Sequence, residues 1–489
     1  MVAFEAERTS ERSPLATASP CVDQMSLLPL KHETPTSIAK ELPQLLSLSI
    51  PVMFTMVMET LPSMSSIALV GQMQSENVQV YVDAVAISSM YFNITSMAVV
   101  SGLATALDTL CTQAFGAGNT TKFGVYLQSA LLGLLIALVP VTLLNVFSGH
   151  ILVFLGQDPV IASHAQSFLF FSSLGLPGFC IYNILKKMLQ AHNVVQPMAI
   201  ISILGNVIHL SLGYYLTYYT SVGLIGPAIS RAIAYTGMTL LMFLYLAWNP
   251  LYKTWELRWS WAAATSHLGQ FFKYGVPGML MMMTEWAAFE ILTLFSGLMD
   301  DHVVVIGVNS ILMNMLSFVY MPFSGNGIAV NIRIGNLLGA YKPESAKVVM
   351  QAGFVMAAGM ITVVASLLAL GRHVIPQVFI HDPVVVERTS TAILCIILLQ
   401  MSDAFNANCQ GVLRATGQQD IGTYVNTAAY YIVGIPMACL WGFSWHGSVE
   451  GLWLGFTTGS LLALSVFAWI LSRLDWKKLA KQAVARVQE

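Results

Sequence analysis

The sequence predicts an all-α polytopic membrane protein, with twelve transmembrane helices in two pseudo-symmetric six-helix bundles. Three observations predict it. Apolar stretches recur from Leu42 nearly to the end of the 489 residues. The chain is 56% hydrophobic and only 9% charged, whereas a soluble domain carries about 25% charged residues. When the apolar stretches are taken as alternating spans, the basic residues collect on one side.

A spanning helix needs about 20 mostly apolar residues. Twelve candidates lie near 43–70, 82–106, 122–147, 161–189, 194–219, 222–248, 268–298, 303–331, 346–371, 385–412, 420–444 and 449–472. Pro51, Pro62, Pro177, Pro277, Pro322 and Pro436 fall inside them. Membrane bundles tolerate such breaks where neighbouring helices satisfy the freed backbone groups. With the N-terminus on side one, that side receives 19 of the 22 Lys and Arg residues. The opposite side receives Arg372 and Arg388, and Arg231 falls inside span six. Basic residues favour the cytosolic face, so both termini are expected there.

The chain repeats itself. With a shift of 223, Gly102, Ala106, Gly116, Ala117 and Gln128 meet Gly325, Ala329, Gly339, Ala340 and Gln351. Gln190-Ala-His-Asn and Arg414-Ala-Thr-Gly match at a shift of 224. An even number of spans per repeat gives both halves the same topology, related by an axis along the membrane normal. The expected organisation is an N-lobe at 42–249, an interfacial amphipathic linker at 250–267 and a C-lobe at 268–473. Trp255 and Trp259, four residues apart, suggest one helical face in that linker. Residues 1–41 read as a disordered cytosolic tail, without the apolar core of a signal peptide. Residues 474–489 read as a cytosolic C-terminal tail. The six cysteines show no CxxC spacing and read as small apolar residues.

Several function classes drop out. A net charge of −2 gives no electrostatic case for nucleic acid. No GxSxG, Walker A or HExxH motif occurs, so neither an enzyme nor a direct ATP drive is indicated. No cofactor or metal is expected.

The charges inside the spans carry the chemistry. A mid-membrane carboxylate costs roughly 2.5–3.5 kcal/mol on insertion scales, so it marks a functional site by default. Glu285 and Glu290 in span seven are the sharpest pair, with Asp403 in span ten as a third member. Five residues separate the two glutamates, which places them about 140° apart on an ideal helix. They therefore do not share one stripe, and distinct roles are expected. A buried carboxyl that takes a proton on one side and releases it on the other couples transport to a proton gradient; the alternative is a neutral carboxyl bonded to Tyr, Asn or Ser. Glu59, Asn309, Asn314, Tyr320 and Asn406 are candidate cavity-lining residues. Asp83, Asp108 and Glu387, near span ends, read as hydrated. Arg231 fits either snorkelling to an interface or pairing with a carboxylate.

These residues resemble the multidrug and toxic compound extrusion (MATE) family, of the eukaryotic, plant-like type. Thr284-Glu285-Trp286-Ala-Ala-Phe-Glu290 through Ser296-Gly297 resembles its span-seven signature. Gly102 to Ala117, Arg333 to Ala340, Leu189 to Met198 and Gly411 to Gly417 resemble its other motifs, in order, so that the likeness covers roughly residues 42–475. The resemblance implies a V-shaped pair of bundles, alternating access by rocking, and antiport driven by protons. It implies substrates such as organic cations, secondary metabolites, xenobiotics or organic acids. It assigns Glu285 and Glu290 to the coupling and substrate site and Asp403 to the span-ten acidic position. Where animal members carry a further Glu in span eight, this chain has Asn314. Where bacterial members carry an Asp in span one, it has Ser66, with Glu59 seven residues earlier.

The expected partners are a small organic substrate, protons and the lipid bilayer, with no nucleic acid, and the working unit is a monomer. The membrane is the plasma or the vacuolar one. The rival readings are an exporter of organic acids or lipid-linked cargo on the same fold, and a non-transporting membrane receptor.

Overall fold

The computed structural model describes residues 36–300, 302–380, 382–445 and 448–488. Eleven of its helices are long and apolar enough to cross a membrane. Pro159–Ser173 and Leu176–Ala191, bent by 50°, complete a twelfth span if taken together. The first span is Ile38–Gly71, the second Val78–Gly116, the sixth Gly223–Trp248, the seventh Leu268–Ser296, the eighth Val304–Gly339, the tenth Pro383–Thr416, the eleventh Gln419–Ser444 and the twelfth Val449–Ser472. Leu135, Val139 and Leu143 of the third span, Lys122–Val146, are turned outward, as contact with hydrocarbon requires.

The repeat is built into the packing. The first turns of span one bury Leu45, Leu48 and Val52 in the core of the C-terminal half. The first turns of span seven bury Phe271 and Tyr274 in the core of the N-terminal half. Each half thus lends the start of its first helix to the other.

The glycines that match in the sequence meet at the seam between the halves. A Cβ on Gly102 would lie 2.5 Å from Cα of Met279, and one on Gly325 would lie 2.6 Å from Cα of Met53. Nearer the end that carries the basic residues, a Cβ on Gly116 would strike the carbonyl oxygen of Asn336. One on Gly339 would strike that of Gln113. Only glycine allows backbones this close. Hydrogen bonds close the same region: Gln113 Nε2 donates to the Ala415 carbonyl at 2.8 Å, and Gln419 Nε2 to the Thr105 carbonyl at 3.2 Å. These contacts lie in the half of the bundle nearer the basic end, so the two halves are zipped together there.

Two expectations differ from the structure. Trp255 and Trp259 do not share a helical face. Trp255 ends a short 3₁₀ turn, Leu251–Thr254, and is buried, with Nε1 donating to His192 Nε2 at 3.3 Å. Glu256 follows with φ 48°, which breaks the helix, and Trp259 and Trp261 are exposed. Within the expected C-terminal tail, Trp476–Gln488 is a helix with Trp476, Leu479, Ala480, Ala483 and Val487 buried. The end of the expected N-terminal tail belongs to span one: Glu41 is buried and bridges to Arg333 Nε at 3.0 Å. Residues 1–35 lie outside the described residues.

Candidate functional site

Span seven runs through Pro277 without a break in its helix. Carbonyls along this stretch find partners on span eleven. Thr423 Oγ1 donates to the Pro277 carbonyl at 2.7 Å and Asn426 Nδ2 to that of Met281 at 3.4 Å. This fixes the helix face one turn before Glu285.

Glu285 is 5% exposed. Gln410 Nε2 of span ten donates to its Oε2 at 3.0 Å, and the hydroxyl of Tyr320 faces the same carboxyl. Asp403, two turns before Gln410, is also buried. Ser460 Oγ of span twelve donates to Asp403 Oδ1 at 2.9 Å. Ser402 Oγ and Asn406 Nδ2 reach the same serine at 2.8 and 3.1 Å. The charge of Glu285 reaches Asp403. Among the described residues neither makes an ion pair. Arg414, one turn beyond Gln410, is the cation whose charge reaches Glu285.

Four of the sequence-predicted residues therefore stand together: Glu285, Asp403, Tyr320 and Asn406. The others do not join them. Glu290 is half-buried on another side of span seven and makes no hydrogen bond to a described residue. Asn309 is buried and donates to Thr293 Oγ1 at 3.3 Å, tying span eight to span seven. Asn314 is exposed and donates to the Ser310 carbonyl of its own helix at 2.8 Å.

Glu59 belongs to a separate cluster in the N-terminal half. Its carboxylate accepts from Lys186 Nζ at 2.6 and 2.9 Å and from the Tyr182 hydroxyl at 3.2 Å. It is an ion-paired group, and it lies on the wall of a cavity in this half, apart from Glu285 and Asp403. Asp108 is not hydrated as expected: it is buried and bridges to Lys187 Nζ at 2.8 Å. Both lysines, which read as side-one residues, are buried in Leu176–Ala191 because the bent span carries them inward. Arg231 neither snorkels nor makes an ion pair with a described carboxylate. It is 1% exposed, with Nη2 donating to the Pro62 carbonyl at 3.1 Å and to Ser66 Oγ at 3.0 Å.

The sequence reading missed Lys186, Gln410 and Ser460. A signal for two of them was present. Glu59 and Glu285 are 226 residues apart, and Lys186 and Gln410 are 224 apart, close to the repeat shift. Each half pairs a carboxylate of its first span with a donor of its fourth, lysine in one and glutamine in the other.

Two repeated six-helix halves, with polar clusters buried at mid-span and a seam closed at one end, define a membrane transporter rather than an enzyme. The MatE family model matches residues 51–215 and again 277–440, once in each half. The chain belongs to this MATE family of multidrug and toxin extrusion transporters. It is 31% identical to Protein DETOXIFICATION 14 of Arabidopsis thaliana over 86% of this chain and 86% of that one. It is 30% identical to Multidrug and toxin extrusion protein 1 of Danio rerio, over 94% of this chain and 76% of that one. The crystal structure of the eukaryotic MATE transporter AtDTX14 superimposes with a TM-score of 0.86 at 30% identity, covering 92% of this chain and 99% of that one. An outward-facing MATE transporter of the MOP superfamily shares the fold, with a TM-score of 0.78 at 15% identity, over 93% of this chain and 100% of that one.

Proposed function

We propose that this transporter exports organic cations, xenobiotics or secondary metabolites in exchange for protons, and that Glu285 and Asp403 carry the proton. One observation supports this most. The buried carboxylates of the N-terminal half, Glu59 and Asp108, are neutralised by Lys186 and Lys187, whereas Glu285 and Asp403 are held by neutral donors. A carboxylate locked to a lysine has little reason to bind a proton. A buried carboxyl bonded to an amide or a hydroxyl becomes neutral by taking one, which removes the cost of its charge. Two such groups within reach of each other's charge favour a state that carries at least one proton.

In this cycle a proton arriving from the acidic side neutralises the pair. Span seven, with Pro277 before Glu285, then shifts against spans ten and eleven, and the halves rock about the glycine seam. Release of the proton on the other side restores the negative charge and with it the attraction for a cationic substrate. Glu290 stands apart from the pair and serves substrate contact. The excess of basic residues on one side supports cytosolic termini, and the membrane in this reading is the plasma or the vacuolar one. The seam is then closed on the cytosolic side, which makes this arrangement outward-facing. Each chain contains both halves and works as a monomer.

The reading is tested with purified protein in vesicles loaded with a fluorescent organic cation. An imposed pH gradient is expected to drive its exchange, and a sodium gradient at equal pH on both sides is not. Exchange driven by sodium alone overturns the proton assignment.

A further inference from the structure

The N-terminal half contains a cavity that the coupling site does not use. Its wall includes Glu59, Pro62, Asn206, Arg231 and Tyr235. The charges around it do not balance. Lys186 neutralises Glu59. His209, packed on the same side, bonds to Ser230 Oγ at 2.9 Å and lies 3.4 Å from Ser66 Oγ, and adds no negative charge. Arg231 is left as a positive charge, since a guanidinium does not lose its proton in a protein. The rings of Phe92 and Phe168 flank it at 5.9 and 5.7 Å, which offsets only part of the cost of an unpaired buried cation.

Two donors along this wall have capacity to spare. Arg231 Nε is buried and has no hydrogen-bond partner among the described residues. Tyr235 sits one turn further along span six, on the same face, and among the described residues its hydroxyl meets only the sulfur of Met97, at 3.8 Å. A thioether is a weak acceptor that a better one displaces. Fixed positive charge, a guanidinium N–H and a phenol O–H converge on a small space between apolar walls.

We propose that this cavity binds a small monovalent anion, either a halide or a small carboxylate, held by Arg231 and Tyr235. The anion completes the charge balance of the N-terminal half. The site is independent of the proton pair, so it goes beyond the coupling proposal and does not stand or fall with it.

The test is thermal unfolding of the full chain in lipid nanodiscs, followed by tryptophan fluorescence at pH 7 and constant ionic strength. Sodium chloride, sodium acetate and sodium gluconate are compared, the last being too bulky for the cavity. Chloride, acetate or both are expected to raise the midpoint with a saturating dose dependence relative to gluconate. Chloride alone identifies a halide site, and acetate identifies a carboxylate site. Arg231→Gln is expected to remove the dependence, and Tyr235→Phe to weaken the apparent affinity about tenfold by removing a hydrogen bond to a charged group. Glu285→Gln is expected to keep it, which separates this site from the coupling reaction. If Arg231→Gln does not fold, Arg231→Lys and Tyr235→Phe decide. Identical midpoints in the three salts for the native chain overturn the proposal, and so does an unchanged affinity in the variants that fold.

Discussion

Lys186 and Gln410, 224 residues apart, each donate to a carboxylate on the first span of their own half, Lys186 to Glu59 at 2.6 Å and Gln410 to Glu285 at 3.0 Å. One residue carries a charge and the other does not. That difference makes one carboxylate part of an ion pair and leaves the other bonded to a neutral donor.

The ion pair predicts a stability effect. Lys186→Met leaves Glu59 without its cation inside the bundle, and breaking such a pair from one side costs about 3 kcal/mol or more. Unfolding in mild detergent is expected to show the loss. Exchanging both partners for apolar residues, Glu59→Met with Lys186→Met, is expected to restore most of it. Equal stability of the single and double variants contradicts the pairing.

The neutral partner predicts the converse. Gln410→Lys brings a cation to Glu285 and copies the N-terminal arrangement into the C-terminal half. The variant is expected to fold and to bind substrate weakly, with exchange driven by a pH gradient falling sharply. Full exchange in Gln410→Lys contradicts the role given to a neutral donor.

The seam predicts a conformational effect. Gly102→Leu or Gly325→Leu places a side chain where Met279 or Met53 already stands. Overpacking of this kind costs roughly 1–3 kcal/mol, and parting the halves at the basic end relieves it. Thr109→Cys, a position where the hydroxyl of Thr109 now donates to the Arg414 carbonyl, is expected to react faster with a maleimide in either background. Unchanged labelling means that the seam does not open there.

The last helix predicts a similar result. Arg486 Nη1 donates to Gln113 Oε1 at 3.2 Å and to the Thr416 carbonyl at 3.0 Å, and so bridges the two halves. Val487 packs into the N-terminal core, while Trp476 and Leu479 pack into the C-terminal one. Arg486→Ala is expected to raise labelling of Thr109→Cys from the basic end without abolishing folding. Labelling equal to that of the Thr109→Cys parent contradicts a bridging role.

Much of the fold was legible because hydrocarbon imposes a simple rule on sequence. Apolar windows gave the spans, and the matched glycines at 102 and 325 marked the repeat. Glu285 and Asp403 stood out because a carboxylate in an apolar stretch is expensive. Their partners were harder to read. Ser460 lies in an apolar span where serine is ordinary, and Gln410 was one polar residue in a polar run. Lys186 and Lys187 fell near the end of the fourth candidate span and counted among the side-one cations, since nothing local records that both are buried. Trp255 misled because helical spacing was assumed across a segment that Glu256 breaks. The separation of Glu285 from Glu290 followed from helix geometry alone, and the structure places Glu290 away from the hydrogen-bonded group.

The most direct measurement compares two sets of variants in vesicles under an imposed pH gradient, with a fluorescent organic cation as cargo. Glu285→Gln is expected to reduce exchange to background, and the double change Glu59→Gln with Lys186→Gln to retain most of it. Exchange by Glu285→Gln at the native rate would contradict the assignment of coupling to the C-terminal half.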